Sequence, residues 1–464
     1  MTEKQKLRTL YVAVDYVSTL AGLAVFSFVR YLVVPGLVER FGSAIAFFGT
    51  VGVRLTMAVC PLFMLLLYYL TGYYVRVTAK SRVNEFLKTA VAVAIASLVF
   101  FLVVLLNDVL PRRRYNYEMI LLFFSVMLPI VYVPRVLLTS ILKWRARGRG
   151  PRSFLLVSSG PVDDRVIDTC NATGREYGFR IGAVYDIGRE EDRGESVESV
   201  MSRLGLRGAM LLPGTIDSGK VMGLLSRLFP LSVPVMLSPD EREIVTGRVK
   251  FDTVTAEPLT DLTDPHLPDS FVAVKRMMDI IVSGVALVVL SPVLVSLALA
   301  VRIMSGGPVF YSQERIGYHG HPFRIHKFRS MITDSEPGGR PMLSGGGNDP
   351  RVTPLGRWMR KYRLDELPNL WNVLKGDMSL VGPRPERRYY IDLISVRAPH
   401  CALLHLVRPG LTSWGMVKYG YASDVDAMVE RLKYDILYIQ NLSMSVDLRI
   451  LLHTVRTVVR GEGK

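Results

Sequence analysis

Four long apolar segments fill the first 145 residues, and they constrain the fold of this chain more than any other feature. Each is about twenty residues long, the length that an α-helix needs to cross the hydrocarbon core of a bilayer. Lipid offers the backbone no hydrogen-bond partners, so a spanning segment must be a helix or part of a closed barrel. We therefore predict a membrane protein whose first domain, residues 1–150, is a four-helix transmembrane bundle. The predicted spans are Leu10–Val34, Leu55–Tyr74, Thr89–Leu106 and Met119–Ile141.

Basic residues flank these spans unevenly and predict their orientation. Clusters precede the first span and follow the second and fourth, whereas Arg112–Arg114 lies in the loop between the third and fourth. Cytoplasmic loops are enriched in Lys and Arg. Because three basic clusters favour one orientation and only Arg112–Arg114 opposes it, we place both ends of the bundle in the cytoplasm. The first span has no small-residue cleavage pattern after it, so we expect an uncleaved anchor. The three clusters are Lys4, Lys6 and Arg8, then Arg76, Lys80, Arg82 and Lys88, and finally Lys143, Arg145, Arg147 and Arg149.

Two charged residues, Asp15 and Arg30, lie inside the first span. Charges within a membrane often have a function. Each lies near an end of the span, however, and we expect both side chains to reach the interface instead. The spans otherwise carry few polar residues, which disfavours a transporter or receptor built on the bundle.

Charge is distributed in three blocks. Residues 1–150 contain 18 Lys and Arg against 6 Asp and Glu, and residues 271–464 contain 26 against 16. Residues 151–270 have the opposite balance, with 13 Lys and Arg against 19 Asp and Glu. An acidic middle argues against a continuous nucleic-acid surface. Basic parts beside apolar segments favour membrane lipids and phosphate substrates as partners. The three cysteines have no metal-site or disulfide spacing and predict buried, reduced thiols.

Residues 151–256 alternate short β-rich runs with polar stretches that suit helices, a pattern typical of a soluble α/β domain with a parallel sheet. We expect a Rossmann-like domain with a structural or regulatory role. The alternative, a nucleotide-dependent sugar-modifying enzyme, needs a complete glycine loop, and Ser158–Pro161 lacks the G-x-G-x-x-G spacing. Residues 257–274 are rich in Pro, Asp and Thr and predict a linker. The predicted strands are Phe154–Val157, Ile181–Tyr185, Ala209–Leu212 and Val233–Leu237.

A fifth apolar run, Ile280–Val301, lies within residues 275–304 and is interrupted by Ser291-Pro292. Proline removes a backbone hydrogen bond and kinks a helix. Basic residues also flank the run on both sides. We predict a re-entrant membrane helix that breaks at Ser291 and Pro292, with a straight transmembrane helix as the alternative.

The last part, residues 305–464, is rich in arginine, aspartate and Gly-Pro turns, and we expect a mostly helical catalytic domain. Asp365 and Glu366 precede Pro368, a pattern that places both carboxylates at a helix N-terminus. There they can hold a hard cation such as Mg²⁺, and one can act as a nucleophile on phosphorus. The alternative is a pair of ordinary first-turn acids that bind arginine.

The same region carries several ordered motifs, and from Lys275 to the C-terminus it resembles the bacterial sugar transferase family of polyprenol-phosphate phosphoglycosyl transferases. The layout of residues 1–270 is similar to the large form of that family, which adds an N-terminal membrane bundle. The motifs are KRMMD (275–279), GPVFYSQERIG (307–317), KFRSM (327–331), NDPRVTPLGRWMRK (348–361), LDELPNLWNVLKGDMSLVGPRPE (364–386), RPGLTSWGMVKYGY (408–421) and YIQNLSMSVDLRILLHTV (438–455).

This resemblance implies an enzyme of the bacterial inner membrane with its catalytic domain on the cytoplasmic face. Asp365 would attack the β-phosphate of a UDP-sugar, release UMP and pass the phosphosugar to polyprenol phosphate. Glu366 would hold Mg²⁺ or handle protons. The resemblance also allows a homodimer. The expected phosphate or nucleotide contacts, for which structural salt bridges are the alternative, are Lys327, Arg329, Asp349, Arg351, Arg360, Arg384 and Glu386.

Two features of the C-terminal part concern the sugar that is transferred and the position of the last helix. Thr412-Ser413-Trp414 departs from the Thr-Gly sequence found in many family members, which leaves the sugar unidentified. Residues 447–460 alternate apolar and basic residues and predict an amphipathic helix, either on the membrane or packed on the catalytic domain. An inactive scaffold is a further alternative, although the intact Asp-Glu and Pro-Arg-Pro sequences argue against it.

Overall fold

The computed structural model describes residues 3–75, 82–107, 113–147, 150–189, 195–212, 218–228, 231, 233–238, 259–263, 267–332, 335, 342 and 349–461. The chain divides into two compact units. One contains residues 1–150 with 268–275, and the other contains residues 151–267 with 276–464. Arg76, Lys80, Arg112 and Arg149, which contributed to the orientation argument, lie outside the described residues.

The first unit contains the four predicted spans as helices that are long and apolar enough to cross a membrane. The helices extend beyond the predicted spans at most ends, although the second ends at Leu70 and is followed by a turn. Their core is apolar and aromatic, with Leu23, Met64 and Phe123 fully buried. The long helices are Glu3–Val33, Val51–Leu70, Arg82–Asn107 and Arg113–Arg147, and two short helices, Leu37–Phe41 and Ala44–Phe48, follow the first.

Asp15 does not reach the membrane interface, and our prediction for it was wrong. Its side chain is fully buried and lies 2.6 Å from the guanidinium of Arg135, which is also fully buried. Tyr74 donates a hydrogen bond of 2.6 Å to the second Asp15 oxygen, and Arg135 donates one of 2.7 Å to Thr89. The Arg135 guanidinium also lies 3.8 Å from the centre of the Tyr68 ring. A buried charge is costly unless it is paired, and these contacts supply the pairing.

A second buried carboxylate, Glu85, extends this network. It accepts hydrogen bonds from the hydroxyls of Tyr73 and Thr139, and the Thr139 hydroxyl is also 2.8 Å from the hydroxyl of Tyr11. The bundle therefore contains more polar residues than the sequence suggested. They hydrogen-bond to one another across helices, which favours a role in holding the helices in register.

The predicted linker is partly structured. Thr260–Asp261 forms a strand, and a helix begins at Asp269, well before residue 275. Within the first unit, Asp269 accepts a hydrogen bond of 2.6 Å from Lys88. Gly72 packs so closely on this helix start that a Cβ atom there would lie 2.3 Å from the Asp269 carbonyl carbon. The helix that carries the predicted re-entrant segment is therefore anchored to the bundle at its first turn.

The described residues between 151 and 263 form the expected mixed α/β region around one sheet. Its strands are β1 (Arg152–Ser158), β2 (Phe179–Asp186), β3 (Ala209–Leu211), β4 (Val235–Leu237) and β5 (Thr260–Asp261). Their order in the sheet is β2-β1-β3-β4-β5, with parallel pairs except for the antiparallel pair β4-β5. Side chains of β1 point alternately into two apolar clusters, so both sheet faces are covered, as in α/β folds. The intervening helices are Asp164–Tyr177, Val197–Arg203 and Ser218–Leu228.

The fifth apolar run forms two helices, Asp269–Val289 and Ser291–Ser305, bent by 61° at the predicted break. Pro292 lies in the first turn of the second helix, where its missing N–H leaves no hydrogen bond unmade. The Ser291 hydroxyl donates to the Val288 carbonyl at 2.7 Å. The second helix packs on the domain that follows, through Leu297 and Val301.

The described residues between 305 and 461 are mostly helical and contain two small sheets. β6 (Phe310–Ile316) pairs antiparallel with β7 (Pro322–Phe328), and β8 (Ser379–Val381) pairs parallel with β9 (Gly410–Thr412). The helices are Pro354–Lys361, Asn369–Lys375, Arg388–Arg397, Trp414–Lys418, Val425–Gln440 and Met444–Arg460, and the 3-10 turns are Tyr318–Gly320, Leu364–Glu366 and Pro399–Leu406.

The C-terminal helix, Met444–Arg460, combines the two arrangements left open by its sequence. Asp447 and Ile450 are buried against the domain. Leu448, Leu452, Val455 and Val459 are exposed on another face, and Val459 is 75% exposed. One face therefore packs on the protein, and the other is available to a lipid surface.

Candidate active site

Asp365 and Glu366 form the 3-10 turn Leu364–Glu366, and Pro368 caps the helix Asn369–Lys375 that follows. The dyad therefore lies just before the helix, slightly earlier than predicted. Both carboxyl side chains are mostly buried, and both line one cavity. Burial in a low-dielectric site strengthens the effect of nearby charges.

Three cations surround Glu366. The Lys327 ammonium donates a hydrogen bond to its Oε1 atom, Arg384 lies 3.5 Å from the same oxygen, and Arg363 lies 3.9 Å from Oε2. Burial opposes ionisation of Glu366, but these three charges outweigh it and hold its pKa below the ordinary value. Glu366 is therefore an anion that occupies a cationic site.

Asp365 shows the opposite shift. Burial raises its pKa and the negative charge of Glu366 raises it further, while Lys327 and Arg360 oppose both effects. Two adjacent carboxyl groups thus have pKa values displaced in opposite directions. Such separation within one pair is the usual way in which two carboxyl groups acquire different roles in a reaction.

Backbone packing fixes the position of Arg384. Gly382 and Gly410 approach so closely that a Cβ atom on Gly410 would lie 2.1 Å from the Gly382 nitrogen. Gly410 also donates a hydrogen bond of 2.9 Å to the carbonyl of Pro383. The Gly-Pro-Arg-Pro and Arg-Pro-Gly sequences are therefore two sides of one contact, which holds the Arg384 turn beside the dyad.

The other cations come from the β6-β7 ribbon and the helix Pro354–Lys361. Lys327 lies on β7, and Arg329 follows that strand and is buried. Arg360 lies in the last turn of the helix and donates a hydrogen bond of 2.9 Å to the Ser330 hydroxyl. All three line the cavity together with Arg351 and Arg384.

The cavity measures about 670 Å³, a size typical of small-molecule sites. The Asp-Glu pair contributes to its lining, and aromatic side chains such as Phe310 and Tyr421 border it. Its chemistry suits a phosphorylated ligand with an apolar or aromatic part.

Asp349 pairs with a neighbouring arginine. It is buried and holds Arg351 through two hydrogen bonds, of 2.7 and 2.9 Å. This bidentate pair supports the structural salt bridge that the sequence left open, with Arg351 as the partner that reaches the cavity.

Glu386 also pairs with arginines. Arg431 donates a hydrogen bond of 2.6 Å to it, and Arg315 lies 3.3 Å away. Burial would raise the pKa of Glu386, but these arginines lower it below the ordinary value. An anion at this position would repel phosphate, so the geometry favours a role in holding Arg431 and Arg315.

Three residues of this region were not among the predicted contacts. Arg363 lay within the basic run Arg357–Arg363, and Tyr421 ended a recognised motif, so the sequence contained a signal for both. Arg431 lies in the helix Val425–Gln440, where its spacing gave no indication that it was buried.

The dyad can supply two oxygen ligands to a metal. The described residues contain no group of three His, Cys, Asp or Glu side chains placed to hold one. Mg²⁺ is commonly bound by one or two carboxylates together with substrate phosphates and water. The chemistry of Asp365 and Glu366 therefore fits such an ion, to which they would supply two carboxylate ligands.

The fold and the site together define a membrane protein with a cavity lined by cationic side chains around a carboxylate pair. The family described as "Bacterial sugar transferase" matches residues 270–461. A UDP-glucose:undecaprenyl-phosphate glucose-1-phosphate transferase of Caulobacter vibrioides is 39% identical over 220 residues, which cover 46% of this chain and 82% of that protein. The chain belongs to the bacterial sugar transferase family.

Two longer relatives are similar over about half of the chain. A UDP-N-acetylgalactosamine-undecaprenyl-phosphate N-acetylgalactosaminephosphotransferase of Aeromonas hydrophila is 40% identical, over 53% of this chain and 57% of the relative. A UDP-glucose:undecaprenyl-phosphate glucose-1-phosphate transferase of Escherichia coli is 34% identical, over 52% of each. The chain thus spans little more than half the length of these two relatives.

Proposed function

We propose that this protein transfers a sugar 1-phosphate from a UDP-sugar to undecaprenyl or another polyprenol phosphate, forming a polyprenyl diphosphate-sugar and UMP. The observation that carries the proposal is the buried Asp365–Glu366 pair, surrounded by Lys327, Arg360, Arg363 and Arg384 in a cavity of nucleotide-sugar size. The names of the relatives agree with this reaction. The product would begin the membrane stage of exopolysaccharide, capsule or O-antigen synthesis.

In the first step, a carboxylate oxygen of Asp365 attacks the β-phosphorus of the UDP-sugar. The bond from that phosphorus to the bridging oxygen breaks, and UMP leaves with the electron pair. In the second step, a phosphate oxygen of the polyprenol phosphate attacks the same phosphorus and displaces Asp365. The aspartyl-phosphosugar intermediate keeps the energy of the diphosphate available, so both steps are nearly balanced.

The surrounding cations stabilise the charge that develops on the phosphoryl oxygens. A diphosphate that enters the cavity competes with Glu366 for Lys327 and Arg384, and Glu366 is then free to bind a cation. A bound Mg²⁺, held by Asp365 and Glu366, would neutralise diphosphate charge.

Membrane placement follows the same proposal. The two helices bent at Ser291-Pro292 enter one leaflet and return, and the exposed face of Met444–Arg460 lies on the lipid surface. This arrangement holds the cavity at the cytoplasmic face of the inner membrane, where polyprenol phosphate can reach it. On the resemblance alone, we include a homodimer in the proposal.

For the α/β region we propose a Rossmann-like domain with a structural or regulatory role. Asp186 accepts hydrogen bonds of 2.9 Å from the backbone of both Gly160 and Gly188. In a dinucleotide site, an acid at the end of the second strand binds ribose. Here Asp186 instead closes the turn of its own domain, which supports a role other than cofactor binding.

A direct assay tests the proposed function. Purified protein is incubated with undecaprenyl phosphate, Mg²⁺ and, separately, UDP-glucose, UDP-galactose and UDP-N-acetylgalactosamine, and UMP and lipid-linked sugar are measured. We expect product with at least one donor and a loss of about 10³-fold or more in Asp365→Asn, because the nucleophile is gone. Asp377→Asn, which removes an acid paired with an exposed lysine, is the matched control and keeps activity. Equal product from wild type and Asp365→Asn would refute the assigned role.

A further inference from the structure

Tyr421 lines the cavity beside the dyad and contacts two arginines, Arg384, which also lines the cavity, and Arg363, which lies beside Glu366. The centre of its ring is 5.2 Å from the guanidinium carbon of Arg363 and 5.1 Å from that of Arg384. The ring belongs to the turn between the helices Trp414–Lys418 and Val425–Gln440. Gly420 precedes it in a left-handed conformation, with φ of 88°, which directs the chain back to the cavity.

Both arginines that contact this ring also approach Glu366. Arg384 lies 3.5 Å from one oxygen of Glu366, and Arg363 lies 3.9 Å from the other. Two guanidinium groups converging on one carboxylate repel each other. An aromatic face attracts cations through its quadrupole and can hold both without adding charge.

The backbone of Arg363 gives independent evidence that this arrangement is maintained against a cost. Its φ is 54°. Among the described residues other than glycine, only His319 also has a positive φ. Such a conformation persists when its surroundings fix it, and it is common near functional sites. The contacts that hold the Arg363 side chain are the Tyr421 ring and Glu366.

We propose that Tyr421 is a positioning residue whose ring holds the Arg363 and Arg384 guanidiniums apart and directed at the diphosphate site. The ring acts through the arginines and its hydroxyl is not required. The inference rests on the proposed function for the choice of reaction, but the arrangement it describes can also be tested by anion binding alone.

The test compares three variants with wild type in the full-length protein. Tyr421→Leu removes the aromatic face, Tyr421→Phe keeps it without the hydroxyl, and Tyr419→Leu removes a neighbouring tyrosine that is exposed at the surface. We expect kcat/KM for UMP release to fall about tenfold in Tyr421→Leu, because this variant loses two cation–π contacts. Tyr421→Phe should recover to within about threefold of wild type, and Tyr419→Leu should match wild type.

The second measurement is calorimetric binding of inorganic pyrophosphate, which needs no reaction. We expect the Kd to rise about tenfold in Tyr421→Leu and to stay within about threefold in Tyr421→Phe, with equal thermal midpoints in both. If wild type releases no UMP but the Kd for pyrophosphate still differs between Tyr421→Leu and Tyr421→Phe, the proposed function fails and this inference stands.

Three outcomes would overturn the inference while leaving the reaction intact. Tyr421→Leu could equal wild type in both measurements, so that the ring positions nothing. Tyr421→Phe could fall as far as Tyr421→Leu, which would assign the effect to the hydroxyl. Tyr421→Leu could lose thermal stability in proportion to its activity, which would make the ring a general packing element.

Discussion

Asp365 and Glu366 are neighbours in sequence, but their surroundings give them different properties. Glu366 is held as an anion by Lys327, Arg384 and Arg363, whereas burial and the Glu366 charge raise the pKa of Asp365. A nucleophilic carboxylate must be ionised. The shift of Asp365 therefore links the proposed chemistry to pH.

This link gives a prediction for the first half of the reaction. Asp365 is protonated below its raised pKa, so the rate of UMP release should fall on the acid side at a pH above the ordinary aspartate value of about 4. Rapid-quench measurement of UMP release between pH 4 and 8 checks this, with circular dichroism to confirm that the protein stays folded. A rate that stays constant down to pH 4 would contradict the assigned shift.

The sequence indicated much of this site but not its internal pairing. Asp365, Glu366, Lys327, Arg360 and Arg384 were predicted, because charged residues in ordered motifs are visible in a sequence. Most of their partners were not predicted, because contacts such as Lys327–Glu366 and Arg431–Glu386 join distant segments and depend on the packed fold. Asp349 and Arg351 are only two residues apart, and the sequence left a salt bridge there as an alternative that the structure supports.

At the scale of elements, apolar length and β-rich runs were sufficient to predict the four spans and the parallel strands. Their internal contacts were not. Asp15 and Arg135 are 120 residues apart, and hydropathy does not tell which side of a helix faces its neighbours. The strand Thr260–Asp261 is only two residues long, too short to form a recognisable β-rich run, and it was therefore taken for part of a linker.

The buried pair gives a prediction for the bundle. Asp15→Asn leaves the Arg135 charge without its counter-ion, and Arg135→Met leaves Asp15 without its own, each at a cost of about 3–5 kcal/mol. We expect a lower thermal midpoint in detergent for either variant. The double variant should lose less than the sum of the two, because no lone charge remains. Additive losses would show that the two residues act independently.

At the scale of the whole molecule, basic residues determine the proposed orientation. Basic clusters lie in all three segments that the positive-inside rule places in the cytoplasm, namely before the first span, between the second and third spans, and after the fourth. The helix Asp269–Val289 begins against this end of the bundle through Lys88 and Gly72. The proposed re-entrant path would keep residues 305–461 on the same side of the membrane as the α/β domain.

Cysteine labelling tests this topology. We expect a membrane-impermeant maleimide to label Ile45→Cys, in the exposed segment between the first two spans, in intact cells. Asp426→Cys, exposed in the catalytic domain, should react only after the inner membrane is opened. The native cysteines are buried or half-buried and provide the background. Labelling of Asp426→Cys in intact cells would place the catalytic domain outside and refute the proposed orientation.

In the proposed reaction, Asp365 carries the phosphosugar between two separate half-reactions. Isotope exchange can detect this covalent step: radiolabelled UMP is mixed with unlabelled UDP-sugar and protein, without any polyprenol phosphate. A covalent intermediate predicts that label enters the UDP-sugar in wild type and not in Asp365→Asn, because the first step runs backwards without the acceptor. Exchange that appears only when polyprenol phosphate is present, although complete transfer proceeds normally, would contradict the account.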